Sequence, residues 1–158
     1  MLRTRAGAYA WIEHDGLVLL SLFEGRDLSR GTTVRQWTLP GGGMDFGEQP
    51  HDTVAREVFE ETGYTVDVGE LLGVRSLYLP AAERWEAGPE DLHSIQVVFR
   101  ATVIAGELIC EQDGSTVDVA WFEPAALVTL ERVSLVDAGL AFSRQAPDPG
   151  PAVVIRGG

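Results

Sequence analysis

The stretch LPGGGMDFGEQPHDTVAREVFEETGY, residues 39–64, limits what this chain can fold into more than any other segment. Its second half is punctuated as a helix. Pro50 suits a first helical turn, where its missing N–H would have no partner anyway. Gly63 suits the left-handed position just past a helix end. The stretch therefore predicts a helix over Pro50–Thr62. Taking Glu57 as zero and stepping about 100° per residue, Glu61 falls at about +40° and Glu60 at about −60°. The three carboxylates share one face, while Ala55, Val58, Phe59 and Thr62 gather roughly opposite, where they can pack onto a sheet. Arg56 stands four residues before Glu60, the spacing of a helical ion pair. The first half of the stretch carries the glycines Gly41, Gly42 and Gly43. A glycine-rich loop that leads into a helix usually cradles phosphate with backbone N–H groups. Six acidic side chains and one arginine in the same stretch should repel it.

A cation resolves the conflict. Clusters rich in carboxylate oxygen bind hard divalent ions, and Mg²⁺ typically takes a few carboxylates, waters and substrate phosphates. Glycines beside such a cluster can offer backbone carbonyls and let a substrate approach closely. The competing reading is a solvated acidic face, whose like-charge pairs cost only about 0.2–0.5 kcal/mol each.

The rest of the chain supplies strands. Ala8–His14 and Leu17–Leu22 are apolar runs joined by Asp15-Gly16, a hairpin signal. Residues 24–36 are polar, with Arg26, Arg30 and Arg35, and read as a loop; Gln36–Leu39 reads as a short strand entering the glycines. Leu71–Leu79, Ser94–Ile104 and Val117–Glu123 are further strands, and the charged segment 80–93 is a loop. Ser134–Phe142 is a second helix, with Ser134 and Asp137 spaced as a capping box. The expectation is one α+β domain over residues 1–145, a mixed sheet with helices packed on it, followed by a Pro/Gly-rich tail at 146–158.

Composition excludes several classes. Cys110 is the sole cysteine, so an intrachain disulfide and a cysteine-rich metal site are ruled out. All twelve basic residues are arginine and the net charge is −12. That excludes lysine Schiff-base chemistry and a P-loop lysine, and argues against nucleic-acid binding through a broad basic face. No apolar run reaches the ~20 residues of a membrane span, and residues 1–16 have no long apolar signal core. A cytoplasmic location fits.

Gly42, five residues, Glu48, seven residues, then Arg56-Glu57-Val58-Phe59-Glu60-Glu61-Thr62-Gly63-Tyr64 resembles the complete Nudix box. Tyr64 replaces the usual aliphatic residue, a matter of packing. The approach Trp37 to Gly42, the early hairpin and the late Val119-Ala120-Trp121-Phe122 strand are similar to the same family. The resemblance implies an α/β/α sandwich and a hydrolase that cleaves a nucleoside diphosphate linked to another group. It implies that Glu57, Glu60 and Glu61 hold Mg²⁺ or Mn²⁺, that Gly41 adds a backbone carbonyl, and that Arg56 and Glu48 orient the glutamates through salt bridges. The general base is a box glutamate or a distant loop acid, for which Glu111 and Asp113 are the candidates; the alternative for both is a solvated loop acid.

Substrate signals are weaker. Pro80, sixteen residues beyond Tyr64, falls where members acting on ADP-ribose often carry a proline. Trp85 could stack on a base or cap the core, Arg35 could meet phosphate, and His93 reads as a structural histidine. The expected partner is a small nucleoside diphosphate derivative, either an ADP-ribose or sugar-nucleotide type or a (d)NTP; a homodimer is compatible. The alternative function is a non-catalytic module that senses a nucleotide or ADP-ribose.

Overall fold

The computed structural model describes residues 2–27, 30–83, 90–110 and 114–145. Strand β1 (Leu2–His14) turns at Asp15 and Gly16 into β2 (Leu17–Asp27). Both turn residues have positive φ, 50° and 78°, the geometry that matches the twist of a tight hairpin. β2 then pairs antiparallel with β3 (Thr32–Thr38), from Ser21↔Thr38 to Asp27↔Thr32. Most of the polar segment expected to be a loop is thus two strand arms. β3 lies at the sheet edge, so no one-sided apolar pattern marked it; Thr32, Thr33 and Val34 fit a strand, and Arg35 pairs across to Glu24 at 2.6 Å.

The glycine run is also a strand. β4 (Gly41–Gly43) pairs antiparallel with β1, Gly7↔Gly43 through Tyr9↔Gly41. Helix α1 follows at Pro50–Thr62, as the sequence predicts, and Gly63 ends it at φ 73° with its N–H donating to the Phe59 carbonyl. β5 (Tyr64–Leu79) and β6 (Asp91–Gly106) form a long antiparallel pair, each beginning earlier than its apolar pattern suggested. β7 (Thr116–Phe122) pairs with β2. Helix α2 spans Ser134–Ser143.

The capping box at Ser134 does not form. The cap residue is Val133, and Ser134 is already helical. Its hydroxyl accepts instead from Arg75 Nη2 at 2.8 Å, and Asp137 accepts from Arg132 Nε at 3.0 Å.

The sheet order is β3-β2-β1-β6-β5, and β1 runs parallel to β6, so the sheet is mixed. Alternate strand residues face opposite sides. Ala8, Ala10, Ile12, Leu19, Phe99 and Ala101 pack with Val54 and Val58 of α1. Trp11, Val18, Leu20 and Val98 pack with Leu135 and Val136 of α2. Each helix therefore covers one face, giving an α/β/α sandwich. Val54 and Val58 are fully buried, each contributing about 1.5–3 kcal/mol of hydrophobic stabilisation.

One detail of register opens the site. β1 pairs with β2 only at Glu13↔Val18 and His14↔Leu17. From Gly7 to Tyr9 its neighbour on that edge is β4. The sheet splits there, and the carboxylate face of α1 lies against the split.

Candidate active site

Glycine is required in β4 by close contacts. Gly41 has φ 137°, and a Cβ there would come within 2.6 Å of the Tyr9 Cα. A Cβ on Gly42 would lie 2.6 Å from Glu57 Oε1 and 2.8 Å from Oε2. The bare backbone of β4 is what leaves room for the Glu57 carboxylate.

Arg56 joins the acidic residues together. Its Nε and Nη2 donate to the two oxygens of Glu48 at 2.8 and 2.9 Å, a two-pronged pair. Nη1 donates to Glu57 Oε1 at 2.9 Å and to Glu60 Oε2 at 3.2 Å, and Nη2 reaches the Gly43 carbonyl at 3.2 Å. Glu48 also accepts from the Thr53 hydroxyl at 2.7 Å and the Asp45 N–H at 3.0 Å. The Arg56 hydrogen bonds, then those of Asp45 and Thr53, hold the Glu48 carboxyl down to about 2. Glu48 in turn pushes the Arg56 pKa up. Glu57 shifts the other way: burial raises its pKa, and the neighbouring Arg56 only partly offsets this.

Glu61 is buried, with 9% of its surface exposed, and accepts from the Ser21 hydroxyl at 2.7 Å. Ser21 is fully buried on β2. The sequence reading passed over it; its signal was a lone hydroxyl inside the apolar run LVLLSL. A buried hydroxyl on the sheet needs a partner, and the partner is an acid forty residues away.

These groups open onto a cleft of about 620 Å³. Gly41, Gly42, Gly43, Glu57 and Glu61 line it, together with Tyr9, Arg75 and Gln96. Glu60 is not among the lining residues, and its side chain is 49% exposed. Among the described residues, no three acidic, histidine or cysteine side chains converge as a ready metal cluster. The donor set is nevertheless suited to a hard cation: two carboxylates and glycine backbone in one cleft, with open positions for water and phosphate oxygens.

The remaining expected residues are dispersed. Arg35 is largely exposed, pairs with Glu24 and is not a cleft residue. Arg30 pairs with Asp27. His93 sits half-buried on β6 opposite Tyr78. Pro80 ends β5. Trp85, Glu111 and Asp113 lie outside the described residues, as does the tail at 146–158. The cleft instead contains Arg5, Arg75 and Arg132, which the sequence did not single out.

The sheet with its two helix layers, the glycine strand and the glutamate–arginine network define a Nudix-type domain. The NUDIX domain family model matches residues 1–141, and the chain belongs to that family. It is 29% identical over 140 residues, 84% of its length, to putative nudix hydrolase 1 of Caenorhabditis elegans. It is 40% identical over 77 residues, 49% of its length, to an ADP-ribose pyrophosphatase of Methanocaldococcus jannaschii. Those matches span only 34% and 41% of the two relatives' own lengths. A solved NUDIX hydrolase from Nitrosomonas europaea superposes with a TM-score of 0.71 at 23% identity, covering 89% of this chain and 88% of that one, and shares the fold.

Proposed function

We propose that the chain hydrolyses a diphosphate linkage in a nucleoside diphosphate derivative, with Mg²⁺ or Mn²⁺ bound at the glycine–glutamate end of the cleft. The observation that carries this reading is the seat of Glu57 against Gly42: the backbone is bare where the carboxylate meets it, and both face the cleft with Glu61. Glu57 and Glu61 would hold the cation, with the half-exposed Glu60 and the Gly41 carbonyl as further oxygen ligands. When bound, such a cation neutralises diphosphate oxygens and acidifies water.

The chain's own residues act around that centre. Ser21 fixes one oxygen of Glu61. Arg56 fixes one oxygen of Glu57 and is itself clamped by Glu48. The Glu48–Arg56 pair is thus a positioning device that keeps the glutamates from repelling one another out of register. Arg5, Arg75 and Arg132 place positive charge in the cleft of a chain of net charge −12, which favours an anionic substrate there. The similarity to an ADP-ribose pyrophosphatase supports ADP-ribose or a sugar nucleotide as the first substrates to try.

The test is turnover with Mg²⁺ on a panel of ADP-ribose, sugar nucleotides, dinucleoside polyphosphates and (d)NTPs. Cleavage at the diphosphate of one class supports the reading. Folded protein that turns over no member would overturn it.

A further inference from the structure

Two buried polar atoms among the described residues have no hydrogen-bond partner: Arg75 Nε and Gln96 Oε1. They belong together. Arg75 on β5 and Gln96 on β6 are register partners, so their side chains stand side by side on one face of the sheet. That face is the α2 face, and both residues line the cleft that also holds Glu57 and Glu61.

Other atoms of each side chain have partners. Arg75 Nη1 donates to the Ser134 carbonyl at 2.9 Å and Nη2 to the Ser134 hydroxyl at 2.8 Å. The Gln96 amide hydrogen-bonds the Tyr9 phenol and lowers its pKa, as an N–H donor does, although burial raises that pKa overall. The amide oxygen is left over. The buried atoms left without a partner are the Arg75 Nε–H donor and the Gln96 C=O acceptor, both screened from bulk water. Such atoms cost free energy unless something pairs with them.

We propose that Arg75 and Gln96 form the specificity pair of the cleft and read a planar edge that carries an acceptor beside a donor, as a nucleobase does. A phosphate or carboxylate offers only acceptors and would meet the Gln96 oxygen with repulsion. A sugar hydroxyl has no fixed, flat donor–acceptor pair. Nucleobases present such pairs on their edges and are read that way elsewhere. A base reader in the same cleft as the carboxylates would select a nucleotide over a base-free phosphoester. This inference rests on the diphosphohydrolase reading for its biological meaning but not for its test.

Binding is measured without catalysis, in EDTA, by calorimetry with the nucleoside 5′-monophosphates and with ribose 5-phosphate as the base-free probe. The preferred nucleoside monophosphate should bind at least about tenfold tighter than ribose 5-phosphate, the worth of a buried hydrogen-bonded pair. Q96L and the charge-conserving R75K, which lacks Nε, should each bring that ratio towards one, and Q96L should do so while leaving ribose 5-phosphate affinity unchanged. If R75K does not fold, Q96L alone decides the outcome. A wild-type protein with no base preference, or folded variants that keep the full preference, would show that ordered water satisfies the pair and would end the proposal. A base preference in a protein that hydrolyses no diphosphate would leave the pair standing and remove the enzyme reading.

Discussion

Single residues make the sharpest predictions. Gly42→Ala puts a methyl group 2.6 Å from Glu57 Oε1, so the carboxylate or the strand must shift. Displacements of that order near reacting groups cost about a hundredfold in rate. The expected outcome is that loss in kcat with a near-normal far-ultraviolet spectrum; an unchanged kcat would show that Glu57 has slack. Glu48 predicts an acid limb. Its folded pKa of about 2 lies below the ordinary carboxyl value of 4.5. Its stabilisation is therefore complete above 4.5 and lost as pH falls through about 2. The melting temperature of the wild type should drop over that window, and Glu48→Gln should flatten the part of the slope that this group contributes. Ser21 marks a limit of legibility at this scale. Its partner Glu61 lies forty positions away, so no local pattern could reveal that the hydroxyl serves the acid.

At the scale of elements, legibility followed the reach of the forces. The ends of helix α1 could be read because their signals are local, Pro50 at the start and Gly63 at the end; its faces were read only in part, since Phe59, expected against the sheet, is exposed and Glu61 is buried with Val58. Its C-terminal stop is testable. Gly63 holds φ 73°, and a Cβ would meet the Glu107 carbonyl oxygen at 2.6 Å. Gly63→Ala should destabilise by at least about 1–2 kcal/mol from the left-handed backbone alone, seen as a lower denaturant midpoint at constant slope. Strand β4 could not be read, since three glycines have no strand propensity and only β1 beside them makes the pairing. The polar arms of β2 and β3 were hidden because none of their residues is fully buried, so no apolar face marked them. The capping box failed because Arg75, distant in sequence, takes the Ser134 hydroxyl.

For the whole molecule, the sheet gathers residues from both ends of the chain into one cleft and sets two carboxylates beside three arginines there. Burial raises Glu57 above its ordinary carboxyl value, so the folded state holds that proton more tightly than the unfolded chain does. Its contribution to stability therefore falls as pH rises from 4.5 through the raised value, and a bound cation should remove the penalty. Mg²⁺ should raise the melting temperature more at about pH 8 than at about pH 4.5; an equal shift at both would place the ion elsewhere. The mixed sheet, the two helices and the family could be anticipated from the box and its flanks. The Arg75–Gln96 end of the cleft could not, because β5 and β6 bring those residues together across twenty-one positions of chain and through register alone. The central claim is that Glu61, held by Ser21, serves the cleavage of a diphosphate in this cleft. Its most direct test is Glu61→Gln, with single-turnover rate and substrate affinity measured on the best panel substrate in saturating Mg²⁺. The account predicts a rate loss of at least about a hundredfold, the scale of losing one fixed electrostatic group, with the protein still folded and still binding the nucleotide. A folded Glu61→Gln protein that cleaves at the wild-type rate would contradict it.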